Sequence, residues 1–394
     1  MTSCAFGSAS ILCWGRFASF DTKGAFNVPY CLFKAKNITD PTIRGGKYLK
    51  SRPIAPGTKH PMRRLLHLAG RAWSFITANL HGEHFAIQHG GLVPAFLHRA
   101  GSLPGQGDLG YIIKDITSCY PSMPKPAISS ALRDTLTELT RDAGRTGVAV
   151  PKRSNARQCA WKARKGDVWL PFDVLNDIAE FSLHNAIVRL GGRLLHQVKG
   201  IPMGDPISPG MTIGTCAWME KKWMQGVPQH VKQRFLAARF MDDILMVYRK
   251  TRLWDHDQFL AAFARSDCYH PPLALEDAKD DTFLETTFVI SSGRIRHWLK
   301  NDNPIGGPAK IWRYQHWASC SSFEQKRATL ASCLKKVHSM ASDAEAVFAA
   351  GVQKLDEFKR LAYPKSVLRG ACTYMAACTA CYAWIRVRHV VDTW

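Results

Sequence analysis

Apolar residues along this chain switch between helical and strand spacing, and a few acids interrupt the strand-like runs. From Gly110 to Ile116 the run GYIIKDI suits a short buried strand, broken only by Lys114 and Asp115. Downstream, LAARFM and ILMVY flank Asp242 and Asp243, which predicts a β-hairpin with the acid pair at its turn. Residues 65–82, 125–145, 173–190 (DVLNDIAEFSLHNAIVRL) and 211–225 space their apolar positions by three and four, as amphipathic helices do. A further helix is expected over 257–266, then strands in FLETTFVI and RIRHWLK. A largely helical stretch follows over 321–362, interrupted by Tyr363-Pro364. Residues 44–64 (RGGKYLKSRPIAPGTKHPMRR) read as a loop or ribbon carrying exposed cations. The expected class is a mixed α/β (α+β) fold.

Charge narrows the possible partners. The 394 residues hold 53 Lys+Arg against 31 Asp+Glu, a formal charge of +22 with a pI near 9.7. Such an excess favours a polyanion, because each phosphate neutralised releases a counterion; a basic enzyme without nucleic acid is the plain alternative. An apolar fraction of 46% argues against a disordered chain. The 12 cysteines are scattered, so they are expected to be reduced and mostly buried. Cys378 and Cys381 form a C-x-x-C with Cys372 before and His389 after. Their surroundings, CTYMAACTACYAW, are apolar and lack the glycine turn of a zinc knuckle, which favours helix cysteines over ligands. The first 20 residues, with Arg16 and no acid, share features with an organelle transit peptide and equally fit a ragged start. No run of 18 uncharged apolar residues occurs, so no membrane span is expected.

The acids carry the chemistry. Two adjacent carboxylates between apolar strands are costly unless cations neutralise them. Asp115, inside YIIKDIT, poses the same problem. Mg²⁺ takes one or two carboxylates plus substrate phosphates, and a pair of such ions suits in-line phosphoryl displacement. For each acid alone, a solvated turn or a salt bridge explains the residue as well.

The order of the motifs resembles the reverse transcriptase family. YIIKDITSCYPSM is similar to its first palm motif, with Asp115 and, five positions on, Tyr120. KGIPMGDPISP is similar to its Gly-x-Pro-x-Gly loop, and RFMDDILMVY to its aromatic-x-Asp-Asp hairpin. FLETTFVISSGRI resembles the segment that grips the primer, and KYLKSRPIAP the basic fingers segment. The Pro202–Gly204 and Pro206–Pro209 pattern, with YQHWAS and LAYPKSVL in the tail, looks like Penelope-like retroelements, and telomerase is a relative sharing much of it. The resemblance implies a right-hand polymerase: N-terminal segment and fingers over 1–110, palm over 111–300 with a fingers insertion at about 124–195, and helical thumb and tail over 301–394.

It also implies roles. Asp115, Asp242 and Asp243 would be catalytic and would hold two Mg²⁺, with Mn²⁺ a substitute. Tyr120 would be the steric gate that excludes a 2′-hydroxyl, while Arg52, Gly200, Pro202 and Gly204 would contact the nucleotide. Phe283, Leu284 and Glu285 would grip the primer. Lys47, Lys50, Lys59 and Arg63 would supply general backbone attraction. The implied partners are an RNA template, a DNA primer and dNTPs, with no membrane; protein partners are not implied. Retroelement descent would favour the nucleus, and the opening segment an organelle. Three positions depart from the family's pattern: Lys199 where glutamine is common, Phe240-Met241 in place of the more frequent Tyr-aliphatic pair, and Asp205 where a small residue is common, an acid unfavourable near a triphosphate unless paired. Two rivals stay open, a non-catalytic nucleic-acid-binding relic of a retroelement and an RNA-templated RNA polymerase, the latter disfavoured by Tyr120.

Overall fold

The computed structural model describes residues 14–21, 23–25, 28–33, 51–54, 57–153, 158–251, 254–269, 272–278, 281–291, 293–303 and 313–394. In chain order the first strands are β1 (Tyr30–Phe33), β2 (Ser51–Ile54), β3 (Leu109–Ile116), β4 (Gly147–Pro151), β5 (Asp167–Pro171), β6 (Ile187–Leu190) and β7 (Arg193–His196). They are followed by β8 (Phe235–Phe240), β9 (Asp243–Arg249), β10 (Leu275–Asp277), β11 (Thr282–Phe283), β12 (Thr286–Ser291) and β13 (Arg294–Leu299). The helices are α1 (Arg63–Ala78), α2 (Val93–Gly101), α3 (Cys119–Ser122), α4 (Lys125–Ala143), α5 (Phe172–His184) and α6 (Ser208–Gln225). Then come α7 (Gln229–Lys232), α8 (Trp254–Ala264), α9 (Phe323–Ser339), α10 (Ala344–Arg360), α11 (Lys365–Thr379) and α12 (Ala383–Thr393).

The described residues fall into two units. The first draws on Met1–Ala86, Ile116–Gly226 and Ala262–Leu275; the second on Ile87–Asp115, Val227–Ala261 and Glu276–Trp394. In the first, α1, α4, α5 and α6 pack on one another. Helix α1 buries Leu65, Leu66, Ala69, Ala72, Trp73 and Ile76, the stripe its spacing predicts. Helix α4 ends at Gly144 in the left-handed region, where the amides of Gly144 and Arg145 bond back to Thr140 and Leu139.

The helix expected over 173–190 is shorter. It stops at His184, and Ile187–Leu190 pairs with Arg193–His196 as a hairpin around Gly191-Gly192, both at positive φ. A Gly-Gly pair flanked by β-branched Ile187 and Val188 is a hairpin signal that outweighs helical spacing over the last turns.

In the second unit the sheet order is β10-β3-β9-β8, with β9 antiparallel to both β3 and β8. Ile244, Leu245, Met246 and Val247 of β9 are each 0% exposed, so this central strand is covered on both faces. One face packs on Val93, Phe96 and Leu97 of α2 and on Phe283 and Phe288. A separate core joins α9–α12, built on Leu330, Leu334, Val337, Phe358 and Trp384. Side-chain caps start two of these helices: Ser322 accepts from the Gln325 amide and Asp343 from the Ala346 amide. Cys372 is buried in α11, Cys378 is exposed on the same helix, and Cys381 lies just past its end. Among the described residues no helix is long and apolar enough to cross a membrane.

Candidate active site

Alternation along β9 places Asp243, Leu245 and Val247 on one face. The register carries that face across the sheet: Asp115 is the cross-strand partner of Asp243, Ile113 of Leu245, and Tyr111 of Val247. On the other side Phe240 partners Asp243 and Ala238 partners Leu245. An apolar row therefore ends in two carboxylates set opposite each other, and Asp242 sits one residue away in the hairpin turn. All three acids are half-buried, and Oδ1 of Asp115 is shielded from solvent. Like charges directly opposite cost roughly 0.2–1 kcal/mol, whereas each fully buried Leu or Val contributes about 1.5–3 kcal/mol. The apolar row wins, and a slip of one residue would exchange it for Ile244 and Met246 on the face beneath α2. The packing thus imposes the carboxylate pair.

The turn is tight. Phe240 and Asp243 close it, leaving only Met241 and Asp242 between the strands, and Met241 adopts φ +56°. A non-glycine residue there costs on the order of 1–2 kcal/mol. Arg239, fully buried on β8, donates from Nη1 to the Met241 carbonyl at 3.0 Å and steadies this conformation. Sequence reasoning missed Arg239, although an arginine inside LAARF was a visible signal. Lys114, beside Asp115 on β3, pairs with Asp277 of β10 at 2.7 Å.

The Gly-x-Pro-x-Gly loop belongs to the first unit, with Tyr120. Gly200 stands at φ +72°, and a Cβ there would run into the Tyr120 carbonyl and come within 2.5 Å of the Pro121 Cα. The next amide, of Ile201, donates to that same Tyr120 carbonyl at 2.8 Å. The Pro202 carbonyl accepts from Ser208 Oγ at 2.5 Å, and the Gly204 carbonyl from the Gly57 amide at 3.1 Å. Gly70 of α1 lets the helix approach the end of the loop: a Cβ would strike the Pro206 carbonyl oxygen and lie 2.8 Å from its carbon. Tyr120 itself is half-buried on the short helix α3. Arg52 lies on β2, paired with Leu32, and its side chain is outside the described part of the structure. Lys47 and Lys50 are outside the described residues; Lys59 is exposed and ends the 3₁₀ turn Gly57–Lys59, and Arg63, also exposed, begins α1.

The acid at 205 has partners. Asp205 Oδ2 accepts from Ser182 Oγ at 2.8 Å, and Oδ1 accepts from the Ile207 amide at 3.1 Å. Burial pushes its carboxyl above the usual range, against the hydrogen bonds of Ile207 and Ser182 and the fields of His60 and His67. Burial likewise pushes His60 down, with Asp205 opposing. The loop acid is engaged within its own unit.

Phe283, Leu284 and Glu285 lie on a second tight hairpin, β11–β12, in the unit that holds the three aspartates. Leu284 turns the chain at φ +55°, breaking the single strand expected for FLETTFVI. Phe283 is 0% exposed within the core that also contains Leu245, so its side chain supports the turn from below. Glu285 is exposed and ion-paired with Lys336 of α9.

Among the described residues no three His, Cys, Asp or Glu side chains are gathered as a ready metal cage. Mg²⁺ does not require one, since it commonly takes one or two carboxylates and completes its shell with water and phosphate oxygens. Two carboxylates on directly paired strand positions, with a third in the adjoining turn, are a donor set of hard oxygens that suits it.

No protein-family model matches the sequence, and no curated protein does. Solved structures match its fold. Telomerase from Candida albicans, in complex with a TWJ fragment of telomeric RNA, superposes at a TM-score of 0.58 with 11% identity over 97% of this chain. Telomerase from Candida tropicalis with a TWJ fragment of telomeric RNA gives 0.50, at 11% identity over 98%. The chain spans 64% and 60% of the length of those two chains. Its fold is of the right-hand polymerase class.

Proposed function

We propose that this polymerase-fold chain is an RNA-directed DNA polymerase of retroelement origin, extending a DNA primer on an RNA template. The observation that carries the reading is the Asp115–Asp243 cross-strand pair beside Asp242, which gathers hard carboxylate oxygens of the kind divalent cations take at one end of the sheet. These three residues would hold two Mg²⁺, which when bound would neutralise charge on the attacking and leaving oxygens of nucleotidyl transfer.

The chain's own residues supply the rest. The β8–β9 turn, braced by Arg239, fixes Asp242 and Asp243 before substrate arrives, so little reorganisation is left for the chemical step. Gly200, Pro202 and Gly204 present backbone to the incoming nucleotide, and Arg52 is assigned to its phosphates. Tyr120 excludes the 2′-hydroxyl. Leu284 and Glu285, at the β11–β12 turn, are assigned to the primer, since Phe283 is committed to the core. The excess of cations supports a nucleic-acid partner.

Primer extension on poly(rA)/oligo(dT) with Mg²⁺ tests this directly. Incorporation of dTTP is expected, together with binding whose log K falls linearly with log[salt]. Salt-sensitive binding without incorporation would leave the relic reading standing. An unpaired acid at 205 would favour the relic, and this one is engaged by Ser182 and the Ile207 amide. The gate is tested separately: Tyr120→Val is expected to raise UTP incorporation relative to dTTP roughly tenfold or more. Preference for UTP in the unmodified protein would move the assignment to RNA synthesis.

A further inference from the structure

Four contacts hold the Gly200–Asp205 segment within its unit: Ile201 and Gly204 bond to backbone, at the Tyr120 carbonyl and the Gly57 amide, while Pro202 and Asp205 bond to the side chains of Ser208 and Ser182. The backbone contacts are ones that many sequences could make. The Ser182–Asp205 contact is the one that joins two side chains. Ser182 is buried in the last turn of α5, and Asp205 reaches it with one carboxylate oxygen while the other caps the Ile207 amide. The Asp205 carbonyl also accepts from the Ser208 amide at 3.1 Å, at the start of α6. One residue thus ties the end of the loop to two helices. His60, Asn185, Pro202 and Asp205 line a cavity of about 30 Å³ behind it, room for about one water.

We propose that Asp205 is a positioning residue, which locks the loop onto α5 and thereby sets how tightly the incoming nucleotide is held. The inference rests on the polymerase reading and extends it to a residue that reading does not use.

Energetics favour this over a merely structural role. A serine or a backbone amide could serve as a hydrogen-bond partner here without desolvating a charge. Burial instead pushes the Asp205 carboxyl up, with His60 and His67 the titratable groups facing it and Arg63 and Arg71 acting on His67. A raised folded-state value means that the native state favours the protonated acid. That contribution to stability is full below the unfolded carboxylate value and is lost as pH rises through the folded one. The same side chain carries the contacts to α5 and to the Ile207 amide, and it is this geometry that singles the residue out.

The test uses the full chain with Asp205→Asn, Ser182→Ala and the double variant. Hydrogen exchange at the Gly57, Ile207 and Ser208 amides reads the lock without any need for catalysis. Asp205→Asn is expected to speed exchange at Ile207 and Ser208 about tenfold. It should also melt no lower than wild type at pH 8, with the gap closing as the pH falls toward about 4. In primer extension its KM for dTTP should rise about tenfold, with a smaller change in kcat. The double variant should be no worse than the poorer single variant, because both act on the one bond between residues 182 and 205, which serine removal deletes and asparagine weakens from charge-assisted to neutral. Unchanged amide protection overturns the lock. Faster exchange with an unmoved KM, or with KM, kcat and melting temperature all falling away together, overturns the positioning role. A wild-type chain that does not extend primers sinks the polymerase reading and the nucleotide half of this inference, while the exchange arm still decides the lock.

Discussion

Replacing Asp243 by Asn is expected to abolish primer extension and, in EDTA, to make the protein slightly more stable. The two effects have one cause. Asp115 and Asp243 are opposed across paired strands, a placement in which like charges destabilise one another. Asparagine keeps the size and removes the repulsion, so the melting temperature should rise by up to about 2 °C. The same change deletes a ligand for ions whose charge stabilisation is worth several kcal/mol, so extension should fall by about a thousandfold or more. Added Mg²⁺ should raise the melting temperature of wild type and leave the variant nearly unmoved. Asp242→Asn should lose activity in the same way with a smaller stability gain, because Asp242 lies in the turn and has no ladder partner. Extension within tenfold of wild type in the Asp243 variant, or an equal Mg²⁺ shift in both proteins, would defeat the assignment.

The second large effect concerns two glycines with similar backbones and different neighbours. Gly200 has φ +72° and Gly144 φ +58°, so alanine at either position bears the left-handed penalty of about 1–2 kcal/mol. Nothing lies within 4 Å of a Cβ at Gly144, and there the cost should stop. At Gly200 the Cβ meets the backbone of Tyr120 and Pro121, which cannot rotate away as a side chain would. Overpacking adds about 1–3 kcal/mol. Gly200→Ala should therefore cost about 2–5 kcal/mol in chemical denaturation, with a hundredfold or greater loss of extension as Ile201 leaves the Tyr120 carbonyl. Gly144→Ala should keep full activity. Equal destabilisation by the two would mean that the loop is free to move and that its contact with Tyr120 does not govern it.

Much of this was legible in the residues, and the gaps have physical reasons. The apolar runs around Asp115 and around Asp242–Asp243 marked three strands and a turn, because a covered central strand demands unbroken apolar sequence. They could not reveal that Asp115 pairs with Asp243 rather than with Asp242, since register depends on which side chains fill the face beneath α2. The single helix expected over 173–190 stopped at His184, because the turn chemistry of Gly191-Gly192 drew Ile187–Leu190 into a hairpin. Phe283 was grouped with its neighbours as a primer contact, yet a phenylalanine in a two-residue strand beside α2 is drawn into the core. Asp205 looked like an intrusion near a triphosphate because its partner, Ser182, lies on another helix and no spacing rule links them.

Only two residues separate the last paired positions of the β8–β9 hairpin, and both flanks are committed to buried rows. One residue inserted or deleted within β9, between Asp243 and Leu245, would send Asp243 through the sheet to the side of Ile244 and Met246. Change by pairs, or none, is all the geometry tolerates. The long excursion from β3 to β8 carries no such parity rule. Lineages of this chain should accordingly vary freely in length between Tyr120 and Gly200 while keeping the count of residues from Arg239 to Leu245 invariant.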